Sequence, residues 1–344
     1  MARGGAHFAS EELDGVLGCY DIGQIRQMSP LSVGNQRAPK MIVTSERGRF
    51  LLKRRSRGKD DLYRVAFGHA VHLHLAQRDF PVSTLIATKE DNKTALRLDD
   101  HIYELFSFVD GVRYDGSAEA TRDAGRQMGR FHWLLAEFDY KLLMPLRGSF
   151  HDSGGVRSHL KTIASEKKAP CKPMKQTADK LMRLYEGASV RVNCAGFDSW
   201  VEQIVHGDWH PGNMLFAERK VVALLDFDSV KIAPAATDLA NGALQFSIVA
   251  GRPNPADWPD YLDERKLVEF VAGYFEVVGL KENQIEVLPD LMIETMIAEA
   301  VLPVATTGFF GNLEGEDFLK MICRKAQWIH KNRTELVGAM KQHR

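Results

Sequence analysis

The sequence has few cysteines and no long apolar segment. Its four cysteines, Cys19, Cys171, Cys194 and Cys323, match neither the spacing of a zinc site nor the density of a disulfide-stapled domain. They are typical of reduced thiols in a cytoplasmic protein. No run of about 18 apolar residues occurs, and no apolar signal segment is visible near the N-terminus. These absences predict a soluble, cytoplasmic protein without a membrane span.

Net charge is also missing. The 45 basic and 45 acidic side chains balance, so nothing draws the whole chain toward nucleic acid or an anionic membrane. The run from Lys53 to Lys59 has five basic residues in seven. Because no aromatic side chains interrupt this run, a solvated loop is favoured over a nucleic-acid patch. We therefore expect neither nucleic acid nor a membrane as a partner.

Two common nucleotide-binding signatures do not occur. The sequence contains neither the GxxxxGK[ST] pattern of a P-loop nor the GxGxxG pattern of a dinucleotide-binding fold. Both fold classes are therefore disfavoured.

The composition that remains is that of a globular protein of 344 residues, a length that predicts two domains or lobes. Short strands are predicted in the first hundred residues, with a hairpin over 41–53 and a further strand over 101–106. A helix is predicted between them at about 61–78. We predict an α+β fold with a small β-rich N-terminal lobe, residues 1–106, and a larger, mainly helical C-terminal lobe, residues 107–344.

Helices are predicted from residue 117 onward, with Ser117 as an N-cap. A stripe of apolar residues at spacings of three and four indicates a buried helix face, formed by Ala124, Met128, Phe131, Leu135 and Phe138. The lysine-rich segment 153–180 is predicted to be a solvated insertion.

The most informative segment is a predicted hairpin. Residues 205–216 read VHGDWHPGNMLF, and residues 221–228 read VVALLDFD, with a short polar turn between them. If the register centres on that turn, Asn213 and Asp226 lie on paired strand ends. Asp208 precedes them on a loop, so three oxygen-bearing side chains converge.

This convergence suggests a magnesium-dependent reaction. Mg²⁺ prefers oxygen ligands, commonly one or two carboxylates completed by water and substrate phosphates. Asn213 and Asp226 would supply such ligands. Asp208, left free of metal, would orient a hydroxyl group and accept its proton. The order Asp-x4-Asn followed by a strand-end Asp is that of the base and metal ligands of protein kinases.

The same segment resembles a known family motif. In the aminoglycoside phosphotransferase and choline kinase-like superfamily, HGDxHxxN precedes an apolar strand that ends in DFD. The resemblance extends over about residues 13–250 and is closest to the homoserine-kinase-II-like and spore-coat CotS-like branches. It rests on the ordered set His206, Asp208, His210, Asn213 and Asp226.

This resemblance implies a protein kinase-like fold and an enzyme that transfers the γ-phosphate of ATP, with Mg²⁺, to a hydroxyl of a small molecule. The acceptor would be an amino alcohol, a sugar or an aminoglycoside-like compound. The resemblance makes Asp208 the catalytic base and Asn213 and Asp226 the magnesium ligands.

Supporting roles follow from the same resemblance. Asp228 would add a second-metal or substrate contact, and Asp238 would brace the catalytic loop. Taken alone, His206 and His210 suggest a zinc pair, but a zinc site needs a third ligand. Hydrogen bonding to the loop backbone is therefore the favoured role for both histidines.

The nucleotide side is less distinctive. Gly34 and Asn35 resemble the family's shortened glycine loop, and Lys53 falls where its phosphate-binding lysine lies. As a cation, Lys53 would pair with phosphate oxygens. Glu104 and Phe106 resemble the hinge whose backbone groups hold adenine.

One departure from the family pattern is evident in the first predicted helix, which has no glutamate to orient Lys53. His69 or His72, or a carboxylate such as Asp60 or Asp61, is expected to replace it. If none does, Lys53 is poorly oriented. That possibility leaves open an alternative function, a kinase-fold binding or scaffold protein with little or no turnover.

Overall fold

The computed structural model describes residues 7–32, 37–139, 145–165 and 174–344. Its strands are β1 (Ile25–Pro30), β2 (Lys40–Ser45), β3 (Gly48–Arg54), β4 (Leu85–Ile86), β5 (Leu96–Leu98), β6 (His101–Ser107), β7 (Leu146–Arg147), β8 (Glu202–Val205), β9 (Met214–Ala217), β10 (Lys220–Leu224), β11 (Lys231–Pro234), β12 (Phe309–Phe310) and β13 (Leu313–Glu314). Its helices are α1 (Ser10–Leu17), α2 (Leu62–Ala76), α3 (Ala118–Leu135), α4 (Gly154–Ala164), α5 (Lys175–Cys194), α6 (Ala235–Ser247), α7 (Glu264–Phe275), α8 (Glu282–Glu286), α9 (Leu288–Thr307), α10 (Gly315–Lys331) and α11 (Arg333–Lys341).

The N-terminal lobe is built on a six-stranded antiparallel sheet in the order β1-β2-β3-β6-β4, with β5 also paired to β6. The predicted hairpin is confirmed as β2 and β3, with Gly48 at a φ of 131° where the chain reverses. Helix α1 packs Leu13, Val16 and Leu17 into the core of this lobe. The pairing of β3 with β6 sets Lys53 opposite Glu104.

The C-terminal lobe is mainly helical and contains the larger core. The Ser117 side chain accepts a hydrogen bond from the Ala120 N–H at 3.3 Å, which confirms the predicted N-cap of α3. Four members of the predicted apolar stripe are buried, and Phe138 packs partly buried against the same core. The α+β, protein kinase-like two-lobe architecture predicted from the sequence is confirmed. The exact division between residues 106 and 107 stays a prediction.

The predicted solvated insertion over 153–180 is wrong for its described residues. Helix α4 buries Val156, Leu160 and Ile163, and α5 begins at Lys175. The three apolar residues follow an i, i+4, i+7 spacing, which the neighbouring lysines obscured. Residues 166–173 lie outside the described ranges.

Two expectations from composition concern the thiols and the membrane. Cys19, Cys194 and Cys323 are free, and Cys171 lies outside the described residues. Across the described ranges, none of the helices combines the length and the apolar character that a membrane crossing requires.

Candidate active site

The hairpin of β9 and β10 brings two predicted site residues together. Its register pairs Met214 with Leu224, and the Leu225 N–H donates to the Asn213 carbonyl at 2.8 Å. Asn213 and Asp226 therefore lie side by side where the two strands end. Glu218 and Arg219 form the turn, both in the left-handed region with φ of 48° and 61°.

Asn213 is oriented by the preceding loop. Its Nδ2 donates to the backbone carbonyl of Asp208 at 3.0 Å and to the Asp208 Oδ2 at 3.1 Å. Both bonds use the amide nitrogen, which leaves the amide oxygen available to a ligand. Among the described residues, the buried Oδ1 of Asp226 has no hydrogen-bond partner.

These atoms fit a magnesium ion that is held partly by its substrate. The available amide oxygen of Asn213 and the buried Oδ1 of Asp226 are the hard oxygen ligands that Mg²⁺ prefers. Within the described ranges, no group of three or more His, Cys, Asp or Glu side chains is placed to hold a metal. Asn213 and Asp226 would supply two ligands, and water and phosphate oxygens would complete the shell.

Asp238 holds the backbone of the loop that carries His206, Gly207 and Asp208. Its two carboxylate oxygens accept the backbone N–H groups of His206 at 2.9 Å and Gly207 at 3.0 Å. The His132 Nε2 lies 3.2 Å from the same carboxylate. Burial would raise the pKa of Asp238, but these hydrogen bonds and nearby histidines lower it. The buried carboxylate therefore stays charged and holds the loop.

The loop makes its turn at Gly207, where φ is 75° and a Cβ atom would lie 2.6 Å from the Ser229 carbonyl oxygen. We expect Gly207→Ala to lower the free energy of unfolding by about 2 kcal/mol or more, since both the backbone and the contact oppose a side chain. Thermal and urea unfolding would measure this loss.

Gly338→Ala is the matched control for that variant. Gly338 lies in the exposed part of α11, where a Cβ atom would meet no other atom within 4 Å. Alanine there should stabilise the protein by up to about 1 kcal/mol. Equal effects of the two variants would contradict the role given to Gly207.

The two histidines of the loop behave differently. The His210 Nδ1 accepts the Gly212 N–H at 3.0 Å, so its predicted bond to the loop backbone is confirmed. The His206 ring is fully buried among Phe131, Trp209 and Phe227. Burial lowers the pKa of His206, so the ring is a neutral packing element.

Lys53 lies among three carboxylates at the junction of the lobes. Its Nζ is 3.8 Å from Glu104, 3.6 Å from Asp226 and 3.5 Å from Asp228. Burial would lower the pKa of Lys53, but these three carboxylates outweigh that effect and raise it. The lysine is therefore a charged group beside the candidate metal ligands.

Glu104 takes the place of the missing helix glutamate. It is buried on β6 directly opposite Lys53, and its carboxylate also contacts Arg55 and the His69 Nε2, the latter at 2.7 Å. Burial would raise the pKa of Glu104, but Lys53, His69 and Arg55 lower it. From the sequence, only backbone contacts were expected of this residue. The sequence did contain a signal for this role, because Glu104 is an acidic residue flanked by apolar and aromatic residues in its strand.

The replacements predicted from the sequence do not contact Lys53 in this way. His69 acts only through Glu104, and the His72 Nε2 instead bonds the Ser83 carbonyl at 2.5 Å. The Asp60 carboxylate accepts the Gly58 N–H in the preceding loop, and the Asp61 carboxylate accepts the Arg64 N–H at the start of α2. The expectation that a carboxylate from elsewhere replaces the helix glutamate is confirmed, but this carboxylate is Glu104 on a neighbouring strand, so the named candidates His69, His72, Asp60 and Asp61 are wrong.

Asp228 is buried against cations. Its carboxylate contacts Arg55, and lies 3.5 Å from Lys53 and 3.6 Å from Lys59. The basic run that begins at Lys53 is thus partly neutralised within the fold. The predicted metal or substrate contact of Asp228 stays a prediction.

A cavity of about 240 Å³ opens between the lobes. It is lined by site residues of both lobes, Lys53, Glu104, Phe106, Asn213, Asp226 and Asp228, and by apolar residues that include Leu31, Ala38, Leu51 and Leu224. Such a concave, largely apolar pocket with a few charged groups is typical of a cofactor site. Gly34 and Asn35 lie outside the described residues.

Two further charged residues, Glu299 and Lys231, lie near Asp208. Glu299 on α9 bonds the Gln245 Nε2 at 2.8 Å. Burial and the charge of Asp208 raise the pKa of Glu299 to about 7. Lys231 packs over the Phe150 ring at 5.1 Å, and burial lowers its pKa. Glu299 lies on a C-terminal helix expected to form part of the acceptor pocket, whereas Lys231 belongs to no motif in the sequence.

Comparisons with known proteins agree with this architecture. The sequence profile of the phosphotransferase enzyme family matches residues 28–278. No curated protein is significantly similar to the chain in sequence. Several solved structures share its fold, and three of them are described next.

A microcompartment-associated aminopropanol kinase aligns with a TM-score of 0.70 at 13% identity, covering 95% of this chain and 98% of that one. An amicoumacin kinase in complex with AMP-PNP and Ca²⁺ aligns with a TM-score of 0.67 at 15% identity, covering 94% of both chains. A choline kinase from Cryptosporidium parvum aligns with a TM-score of 0.59 at 13% identity, covering 96% of this chain and 97% of that one. At these identities the likeness establishes the fold.

Proposed function

Since this chain belongs to the phosphotransferase enzyme family, we propose that it uses ATP and Mg²⁺ to phosphorylate a hydroxyl group of a small molecule. The observation that carries the proposal is the convergence of Lys53, Asn213 and Asp226 on one cavity, with Asp208 bonded to Asn213 at its edge. A charged lysine, two oxygen ligands and a partly exposed carboxylate are the groups that phosphoryl transfer requires.

Each residue has a separate task in this proposal. Lys53 pairs with phosphate oxygens of the nucleotide, and Asn213 and Asp226 hold Mg²⁺. When bound, Mg²⁺ neutralises charge on the phosphates. Glu104 keeps Lys53 charged and in place. Because this reaction depends mainly on positioning and charge neutralisation, the rigid contacts among these residues contribute directly to the rate.

Asp208 acts on the acceptor. Its side chain is 40% exposed, with Oδ2 held by Asn213. The carboxylate orients the acceptor hydroxyl and accepts its proton as the new oxygen–phosphorus bond forms and the bond between the γ-phosphorus and the ADP leaving group breaks. An acceptor hydroxyl within hydrogen-bond reach is the geometric requirement for this role.

The charges around Asp208 favour an acceptor that carries an amine. Glu299 is destabilised as an anion by burial and by Asp208, as its raised pKa of about 7 indicates. Lys231 offsets part of that repulsion, but the pKa of Glu299 stays raised, so a cationic group of the acceptor near both carboxylates would relieve the rest. Among amino alcohols, sugars and aminoglycoside-like compounds, the first and third groups are therefore preferred.

The scaffold alternative loses its main support. It depended on Lys53 having no carboxylate to orient it, and Glu104 supplies one. Burial of Glu104 beside two cations is costly unless the ion pairs are kept, which favours a maintained site over a vestigial one.

A substrate screen tests the proposed function. The purified chain is incubated with ATP and Mg²⁺ and with amino alcohols, aminoglycosides, sugars or no acceptor. We expect acceptor-dependent ADP formation with at least one amine-bearing compound, and its loss with EDTA. Mass spectrometry should find the acceptor heavier by one phosphoryl group. Sugar-only turnover would contradict the acceptor class, and the absence of nucleotide binding would contradict the function.

A further inference from the structure

Arg55 is a buried cation that has no role in the sequence motifs or in the proposed chemistry. It directly follows β3, and its N–H continues the ladder by donating to the Ile102 carbonyl at 2.9 Å. Since side chains alternate along a strand, Arg55 projects to the same face as Lys53, two residues earlier. Its side chain is 6% exposed.

Each nitrogen of the Arg55 guanidinium donates to an acceptor from a different segment. The Nε donates to the Lys59 carbonyl at 2.6 Å. One terminal nitrogen donates to Glu104 on β6, and the other donates to Asp228 in the opposite lobe. The planar fork of arginine suits three fixed acceptors, whereas lysine offers a single flexible point charge.

The Asp228 end of this connection lies beside the candidate metal ligand. Asp226 has a φ of 60°, a left-handed conformation that a non-glycine residue keeps only when its surroundings hold it. On one side the Leu225 N–H is bound by the Asn213 carbonyl. On the other side the 3₁₀ turn Phe227–Ser229 is tied to the N-terminal lobe through Asp228 and Arg55.

From these contacts we propose that Arg55 is a positioning residue, an interlobe strut that holds Asp226 and Lys53 on the same nucleotide phosphates. It acts through Asp228 on the turn that follows Asp226, and through Glu104 on Lys53. This inference rests on the proposed function, because it concerns how that site is aligned. It assigns to Asp228 the task of anchoring the strut.

The test compares nucleotide binding with and without metal. Isothermal titration of AMP-PNP is carried out in Mg²⁺ and in EDTA for the wild type, Arg55→Gln, Arg55→Lys and Asp228→Asn. We expect the affinity gained from Mg²⁺ to fall at least about tenfold in all three variants, the scale of one charge-assisted hydrogen bond. Binding in EDTA should change less. Arg57→Gln, an exposed arginine in the same basic run, is the control and should match the wild type.

A double variant shows whether Arg55 and Asp228 act through their mutual contact or independently of each other. If Arg55 and Asp228 act through each other, Arg55→Gln/Asp228→Asn should lose about as much Mg²⁺-dependent affinity as either single variant. Thermal unfolding of the metal-free proteins should show the same lack of additivity and confirm that each variant is folded. If Arg55→Gln does not fold, Arg55→Lys and Asp228→Asn decide the question.

The outcomes distinguish this proposal from the proposed function. Wild-type binding with an unchanged Mg²⁺ effect in Arg55→Gln, or fully additive losses, would overturn the strut alone. A wild-type chain that binds no AMP-PNP would overturn the proposed function. If the wild type binds no AMP-PNP, the thermal unfolding data still test the contact. Stability losses of Arg55→Gln and Asp228→Asn that add up in the double variant would overturn the strut, whereas losses that do not add up would support the interlobe contact.

Discussion

Replacing Asp226 by asparagine should lower the rate of phosphoryl transfer by about a thousandfold or more, because a metal contributes several kcal/mol to the transition state. Burial would raise the pKa of Asp226, but Lys53 and Lys59 lower it to about 2. The side chain is therefore ionised at neutral pH, where protons do not compete with Mg²⁺. Asparagine removes this charge and weakens the metal ligand.

Asparagine is preferable to alanine at this position for a structural reason. Asp226 has a φ of 60°, which asparagine tolerates better than alanine. Loss of activity in Asp226→Asn thus reports on the carboxylate more than on the backbone. Steady-state rates across a Mg²⁺ titration would measure the effect, with Asp198→Asn on an exposed turn as the control. A variant that keeps wild-type rates at the same Mg²⁺ concentration would show that Asp226 is no metal ligand.

The placement of Asn213 beside Asp226 was predictable because it depends on one local hairpin. Two apolar runs joined by a short polar turn determine which residues pair, and both strands have only a few residues. The resemblance of the loop motif then implied the bracing role of Asp238. The β2–β3 hairpin and the N-cap of α3 were predictable for the same reason, since neighbouring residues determine them.

The partners of Lys53 and Arg55 were not predictable from local patterns. Glu104 reaches Lys53 because β6, which follows α2, β4 and β5 in the chain, pairs with the edge of β3 that its hairpin partner β2 leaves open. Arg55 and Asp228 are 173 residues apart in the chain and meet only when the lobes are assembled. Sheet order and lobe packing decide such contacts, and a single sequence specifies neither at the level of individual side chains.

Replacing Asp208 by asparagine should affect catalysis and leave nucleotide binding nearly unchanged. We expect kcat to fall by about 10²- to 10⁴-fold, the usual contribution of a positioned general base. The Asp208 backbone carbonyl and one side-chain oxygen accept the Asn213 Nδ2. An asparagine at 208 keeps both acceptors, so the metal-ligand side of Asn213 should stay in place.

The contrast between Asp208→Asn and Asp226→Asn is the informative measurement. Asp208→Asn should retain the wild-type affinity for AMP-PNP in Mg²⁺, whereas Asp226→Asn should lose the part of that affinity that depends on Mg²⁺. The difference follows from position, because Asp208 is bonded to Asn213 at the edge of the site and Asp226 lines the cavity. If Asp208→Asn kept more than about a tenth of the wild-type kcat, the carboxylate would orient the acceptor without serving as its base. If it weakened AMP-PNP binding as much as Asp226→Asn, the division between a base and a metal ligand would be wrong.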